Sequence, residues 1–249
     1  MYMISICIAT YNGARYIGEQ LASILKQLSA EDEVVVSDDG STDGTLDIVR
    51  SFNDRRIRIV DGPQRHSPTL NFEWALRNAK GEYIFLADQD DVWLEGKVRR
   101  CVEELQKCDC VVSDARVTDS LLNTTSESLF QLMHVRCGRL SNLLWRNGYT
   151  GCCMAFKREV LSKALPFPTD IPMHDIWIGN VAAFCGSLHF IDDRLLLFRR
   201  HDAATSCNGK GSNYSLWQKL SFRWHTLKNI VKLKTGIRDR KSVGRERVC

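Results

Sequence analysis

The chain has 249 residues, 44% of them hydrophobic and 26% charged, enough to bury the core of one α/β domain with an appended segment; this excludes a disordered or fibrous chain. The net charge of +4 is uneven, because residues 215–249 hold ten Lys or Arg against two Asp or Glu, which leaves the body mildly acidic and the tail basic. Ten cysteines occur without any C-x-x-C pair, and Cys108/Cys110 and Cys152–Cys153 sit too close together for a disulfide framework, so reduced thiols are expected. Met1–Ala9 is apolar but has no basic flank, so it is expected to form a first strand and not an export signal. No run approaches the ~20 apolar residues that cross a bilayer, and a cytoplasmic location is expected.

In chain order, Ile4–Ala9 predicts a strand, and Ile17, Leu21, Ile24 and Leu28 recur at helical spacing after it. Val34–Ser37 predicts a second strand, closed by the polar turn Asp38–Gly44. Leu46, Ile48, Val49 and Phe52 mark a second helix, Ile57–Val60 a third strand, Leu70–Ala79 a third helix and Tyr83–Ala87 a fourth strand. This alternation, with short and nearly all-apolar strands, predicts a Rossmann-like, mostly parallel sheet covered by helices on both faces. Beyond it, Glu95–Gln106 predicts a helix and Cys110–Ser113 a strand. Asp114–Gly138 is polar and weakly patterned, as in a loop or insertion. Helices are expected at Arg139–Arg146 and Asp175–Phe184, and strands at Cys152–Lys157, Ser187–Ile191 and Leu195–Phe198. In the tail, Leu216, Leu220, Trp224, Leu227 and Val231 recur at helical spacing with Lys219, Arg223, Lys228 and Lys232 between them. Such a helix either lies on an anionic membrane surface or packs on the body with its cations in water. The expected division is a domain over 1–214 and a basic helix and tail over 215–249.

Open parallel sheets bind ligands beyond the carboxyl ends of their strands. Two acidic clusters fall at such ends, Asp38-Asp39 and Asp88-Gln89-Asp90-Asp91. Carboxylates packed this closely call for a counter-cation or for hydrogen-bonding groups around them, and an all-oxygen cluster suits Mg²⁺ or Mn²⁺ shared with substrate phosphates. For the first cluster, a turn with an Asp or Ser helix cap is the better reading on composition alone.

Three segments together carry a resemblance. Ser5–Asn12, Ser37–Thr45 and Ala87–Trp93 resemble, in order and spacing, the opening strand, nucleotide-binding turn and metal-binding D-x-D signature of the family 2 inverting glycosyltransferases, which have the GT-A fold. The form Asp88-Gln89-Asp90-Asp91-Val92-Trp93 is similar to a rhamnosyltransferase-like branch found in bacterial surface-polysaccharide synthesis, including O-antigen and capsule. The resemblance runs from about Met3 to Asn208. It implies that Thr10, Asp38 and Asp39 meet the base and ribose of a UDP- or dTDP-sugar, and that Asp88 lies on the ribose side. It further implies that Asp90, with Asp91 and His201, holds a divalent cation, Mg²⁺ or Mn²⁺, and that Arg200 pairs with the diphosphate. His174-Asp175 resembles the motif that supplies the general base; Asp175 is the expected base, with His174 and Gly151 on the acceptor side. A helix-capping Asp is the bland alternative. The acceptor implied is a hydroxyl of a lipid-linked glycan, with the enzyme peripheral on the inner face of the cytoplasmic membrane.

A metal-dependent nucleotidyltransferase is the nearest rival, but a basic Gly-rich loop for a triphosphate is missing after the first strand, where Thr10-Tyr11-Asn12-Gly13 stands. Nucleic-acid binding through the tail is disfavoured by the acidic body and by the lack of an aromatic–basic stripe.

Overall fold

The computed structural model describes residues 2–145, 147–201 and 215–236. The stretch 202–214, with Asn208 at the end of the resemblance, the side chain of Leu216, and Lys241–Cys249 lie outside the described residues.

The parallel half forms as the alternation predicts. Strands β1 (Ile4–Thr10), β2 (Glu33–Asp38), β3 (Ile57–Asp61) and β4 (Tyr83–Asp88) lie in the order β3-β2-β1-β4, all pairs parallel. β1, β2 and β4 are buried along almost their whole length, which is why their sequences show no polar–apolar alternation. Between them run α1 (Ile17–Leu25), α2 (Thr45–Ser51) and α3 (Pro68–Asn78). α1 turns Ile17, Leu21 and Ile24 inward, and α3 starts where Ser67 accepts a hydrogen bond from the Leu70 N–H and Pro68 needs no partner of its own.

The second half is mixed. β4 continues into β8 (Met154–Lys157), which is antiparallel both to β4 and to β6 (Cys110–Thr118). β6 then pairs in parallel with β9 (Leu188–Arg199), and β9 carries the two-residue β5 (Val92–Trp93) antiparallel at the far edge. The two late strands expected at 187–191 and 195–198 are thus one strand, with register shifts against β6 around Asp114. The polar stretch 114–138 is not a plain loop: it completes β6, adds β7 (Thr124–Ser126), and forms α5 (Leu129–Met133). Asp114 organises it, since its carboxylate accepts from the Ser128 hydroxyl at 2.6 Å and the Phe130 N–H at 2.9 Å.

α4 (Lys97–Leu105) lies against β6 and β8, α6 is Arg139–Leu144, and α7 (Arg158–Ala164) pairs with α8 (His174–Cys185). α9 (Leu216–Thr235) opens with a reciprocal Ser215–Gln218 capping box and rests on α6 and α8. Thr226, Asn229 and Ile230 are its buried residues; Leu220, Trp224, Leu227 and Val231, the predicted stripe, face away from the body. No helix of the described residues is long and apolar enough to cross a membrane.

Candidate active site

The register aligns Thr10 with Asp38 and Ala9 with Asp88. The carboxyl ends of three neighbouring strands therefore carry the predicted residues side by side. On the first flank, the Asp38 carboxylate accepts from the Gly40 N–H, the Ser41 N–H and, at 2.6 Å, the Ser41 hydroxyl. Asp38 was expected to touch the nucleotide; both of its oxygens are engaged in folding the turn that follows β2. Asp39 reaches away from that turn: its two oxygens accept from the Arg65 N–H at 3.1 Å and the Ser67 N–H at 3.0 Å, fixing the 62–67 loop across the strand ends. The Thr10 hydroxyl donates to Gln89 Oε1 at 2.7 Å, and its carbonyl accepts from the Asp39 N–H and the Asn71 amide. Gln89 also accepts from the Tyr11 N–H and donates to the Tyr11 carbonyl. A Cβ on Gly13 would come within 2.2 Å of Gln89 Oε1, so any larger residue there would displace the Gln89 amide from Thr10 and Tyr11.

At the acidic end the carboxylates divide. Asp90 faces His201, with Oδ2 2.8 Å from Nε2. Asp91 turns inward and is 1% exposed; its Oδ1 accepts from the Arg199 N–H at 2.9 Å, and its Oδ2 has no partner among the described residues. The expected trio of Asp90, Asp91 and His201 is therefore a rim pair above a buried acid. Asp91, Asp88 and the Cys152 thiol bring their ligand atoms within 4.8 Å of one another. Burial, then the charge of Asp90, pushes the Asp88 carboxyl up to about 7, and burial likewise raises Asp91 well above the usual range. Beneath them Lys97, fully buried, donates to the Cys152 carbonyl at 2.7 Å and lies over the Trp93 ring.

Asp175 stands in the first turn of α8 beyond this cluster. The helix is capped by Met173 without a side-chain bond, and Asp175 Oδ1 accepts from the Ile176 N–H at 2.7 Å, with the Gly151 backbone also bonding to the carboxylate. Burial lifts its carboxyl to about 6. His174 is buried and stacked on Phe72 at 4.0 Å, with no partner on either ring nitrogen among the described residues. Burial lowers its pKa to about 3, so it is neutral. Gly151 closes against this pair: a Cβ there would lie 3.0 Å from His174 Nε2 and 3.5 Å from the Asp175 Cβ.

The Glycosyl transferase family 2 model matches residues 5–165. The chain belongs to that family. It is 29% identical over 215 residues to an uncharacterized glycosyltransferase of Nostoc sp., covering 80% of this chain and 65% of that one. It is 26% identical over 257 residues to the dTDP-rhamnosyl transferase RfbG of Shigella flexneri, covering 93% and 85%. Among solved structures, S. aureus TarS in complex with UDP-GlcNAc superposes with a TM-score of 0.70 at 20% identity, over 94% of this chain and 66% of that one. The mannosyltransferase PcManGT of Pyrobaculum calidifontis, in complex with GDP-Man and Mn²⁺, gives 0.59 at 18% identity, covering 94% and 74%. The fold is thus the GT-A type expected, and the chain spans about two thirds of the Nostoc relative and of TarS.

Within this glycosyltransferase fold Arg199 matters as well: it opens the run Arg199-Arg200-His201, which resembles the family's late R-x-H element, but only Arg200 and His201 were given a role from it. Arg199 is 4% exposed; Nε donates to the Asp90 carbonyl at 2.7 Å, one terminal nitrogen to the Ser120 carbonyl at 2.8 Å, and the other pairs with Glu19. Its guanidinium also lies 4.5 Å from the Tyr16 ring centroid. Arg200, expected at the diphosphate, has an Nε that is buried without a partner among the described residues. Lys97, Gln89 and Cys152 were also missed. A lysine in a strongly charged helix reads as a solvated one, and nothing local marks it as buried.

Proposed function

We propose that this chain transfers a sugar from a UDP- or dTDP-sugar to a hydroxyl of a glycan acceptor, with inversion, in polysaccharide synthesis. The observation that carries the reading is Asp175. It is a half-buried carboxyl in no ion pair among the described residues, lifted to about 6 by desolvation, facing the same acidic end that the nucleotide turn borders. In a single displacement the acceptor hydroxyl gives its proton to Asp175 as its oxygen bonds to the anomeric carbon. The bond from that carbon to the diphosphate breaks, and its electron pair leaves with the nucleoside diphosphate. Attack opposite the leaving group inverts the centre. Neutral His174 and the small Gly151 shape the approach of the acceptor, while Asp39 and Thr10 border the base.

A divalent cation fits the donor set. Asp91 Oδ2 is a buried oxygen without a hydrogen-bond partner among the described residues, Asp88 and Asp90 add hard oxygens beside it, and uncompensated carboxylates this close repel one another. The residues that would hold the ion are Asp88, Asp90, Asp91 and His201; the Cys152 thiol, pushed well above its usual range, stays protonated and is a poor ligand for Mg²⁺ or Mn²⁺. Such a cation supplies Lewis-acid neutralisation of the departing diphosphate.

The test is direct. Candidate UDP- and dTDP-sugars are offered with soluble glycan acceptors, with and without Mn²⁺, and the anomeric configuration of the product is read by NMR. An inverted, metal-dependent product is expected. A retained configuration overturns the displacement, and transfer at an equal rate in EDTA overturns the metal.

A further inference from the structure

The outer side of α9 carries a row of apolar side chains left open by the described residues. Trp217 is 82% exposed, Trp224 65% and Leu220 53%, and Val231 continues the row. At 3.6 residues per turn these four lie on one stripe opposite the buried Thr226, Asn229 and Ile230. The neighbouring end of α6 adds Leu144 and Trp145, the latter 75% exposed. Arg223 donates to the Trp145 carbonyl at 2.8 Å, which joins the two elements.

The charges choose the occupant. α9 contains five Lys or Arg and no Asp or Glu. The helical spacing puts Arg223 and Lys234 along one flank of the stripe and Lys228 and Lys232 along the other. A stripe one helix wide, bordered by cations on both sides and bearing two tryptophans, suits shallow insertion at the headgroup level of an anionic lipid surface. A protein partner held with useful affinity would require a broader contact.

The position is informative as well. The inner side of α9 is fastened to Asp170, whose carboxylate meets His225 Nδ1 at 2.7 Å and the Asn229 amide at 2.6 Å. Asp170 lies in the loop that runs directly into His174 and Asp175. We propose that the outer face of α9, with the end of α6, docks on an anionic lipid surface and presents the Asp175 side of the site to an acceptor carried in that surface. The docking is a property of the surface itself; its use in presenting an acceptor rests on the sugar-transfer reading above.

The full chain is floated with vesicles of phosphatidylcholine alone and with about one third phosphatidylglycerol, across a salt series. Binding is expected only to the anionic vesicles and should weaken as salt rises. The exposed double variant Trp217→Ser/Trp224→Ser should lose binding by at least about tenfold, as should Lys228→Glu, with melting temperatures unchanged. Equal flotation of wild type and variants, or binding that ignores lipid charge, overturns the proposal. So does self-association in sedimentation velocity that the variants abolish without any lipid binding, which would assign the face to a second copy. Transfer to a soluble acceptor, measured on the same variants, separates the two readings. Its loss in the wild type refutes the chemistry and leaves the docking standing, while normal transfer without flotation refutes the docking alone.

Discussion

Asp175 lies in the first turn of α8 yet does not act as its N-cap, and its carboxyl sits where charge is costly. That cost defines a prediction in two measurements. Asp175→Asn should keep nucleotide affinity and lower turnover roughly 10²–10⁴-fold. Its melting temperature at neutral pH should equal or exceed that of the wild type. The sign follows from linkage: the folded pKa, about 6, stands above the unfolded value, so ionising this group disfavours the folded state increasingly as pH rises through that window. Turnover should run the other way, falling about tenfold per unit below pH 6 as the base is protonated. A wild-type rate in Asp175→Asn, or an acid limb unchanged in that variant, removes Asp175 from the chemistry. Gly151→Ala tests the wall beside it. Its Cβ would meet His174 Nε2 at 3.0 Å, and His174 is backed by Phe72, so the pair must shift. Turnover should drop by more than about tenfold for a stability loss of only about 1 kcal/mol; unchanged kinetics would mean the pair does not shape the acceptor side.

Individual elements differ in how plainly the sequence declared them. β1, β2 and β4 were legible because each is buried on both faces and bounded by turn residues, and β3, a half-buried edge strand, because Ile57, Ile59 and Val60 still mark it as apolar. β9 was not, since Asp192-Asp193-Arg194 interrupts its apolar run; in the folded chain those residues occupy a register shift against β6, a pairing no local pattern encodes. β6 was cut short at Ser113 for the same reason, because the buried Asp114 looks like a loop residue until Ser128 and the Phe130 N–H are placed around it. The acidic clusters were readable as strand-end residues, but their division of labour was not. Which way Asp90 and Asp91 face depends on β9 arriving from more than a hundred residues away. The turn after β2 shows the same limit, with Asp38 engaged in its own fold and Asp39 bridging to the 62–67 loop. Asp39→Ala should therefore weaken UDP or dTDP binding even without metal and make the Arg65–Ser67 loop more accessible to hydrogen exchange. Equal affinity and unchanged exchange in the variant would return Asp39 to an ordinary turn position.

Across the whole molecule, one guanidinium joins the two halves of the sheet. Arg199 ties β9 to the Asp90 carbonyl, to Ser120 and to Glu19 on α1, while its N–H serves Asp91. Arg199→Met should cost about 3 kcal/mol, because it leaves buried acceptors unserved among carboxylates. Mn²⁺ should then raise the melting temperature of the variant more than that of the wild type, since the ion takes over part of the missing positive charge. Equal metal-induced shifts in the two proteins would show that the guanidinium and the cation serve separate parts of the site.

The same residue sets an order of events during synthesis. The strands that present Asp38, Asp39 and Asp88 are complete within the first 88 residues. Arg199 meets Glu19 across 180 residues of chain. A ribosome adding residues in sequence makes the acidic loop long before Arg199 exists, so the nascent chain carries that loop without the guanidinium that later ties it to β9. Until β9 emerges and slots beside β6, Asp91 lacks the Arg199 N–H and Asp90 lacks the His201 ring, and Lys97 is left as a cation beneath the acidic end. β9 is thus the strand that completes the acidic end, and a chain released before residue 199 would lack the contacts of Arg199 to Asp90, Asp91 and Glu19.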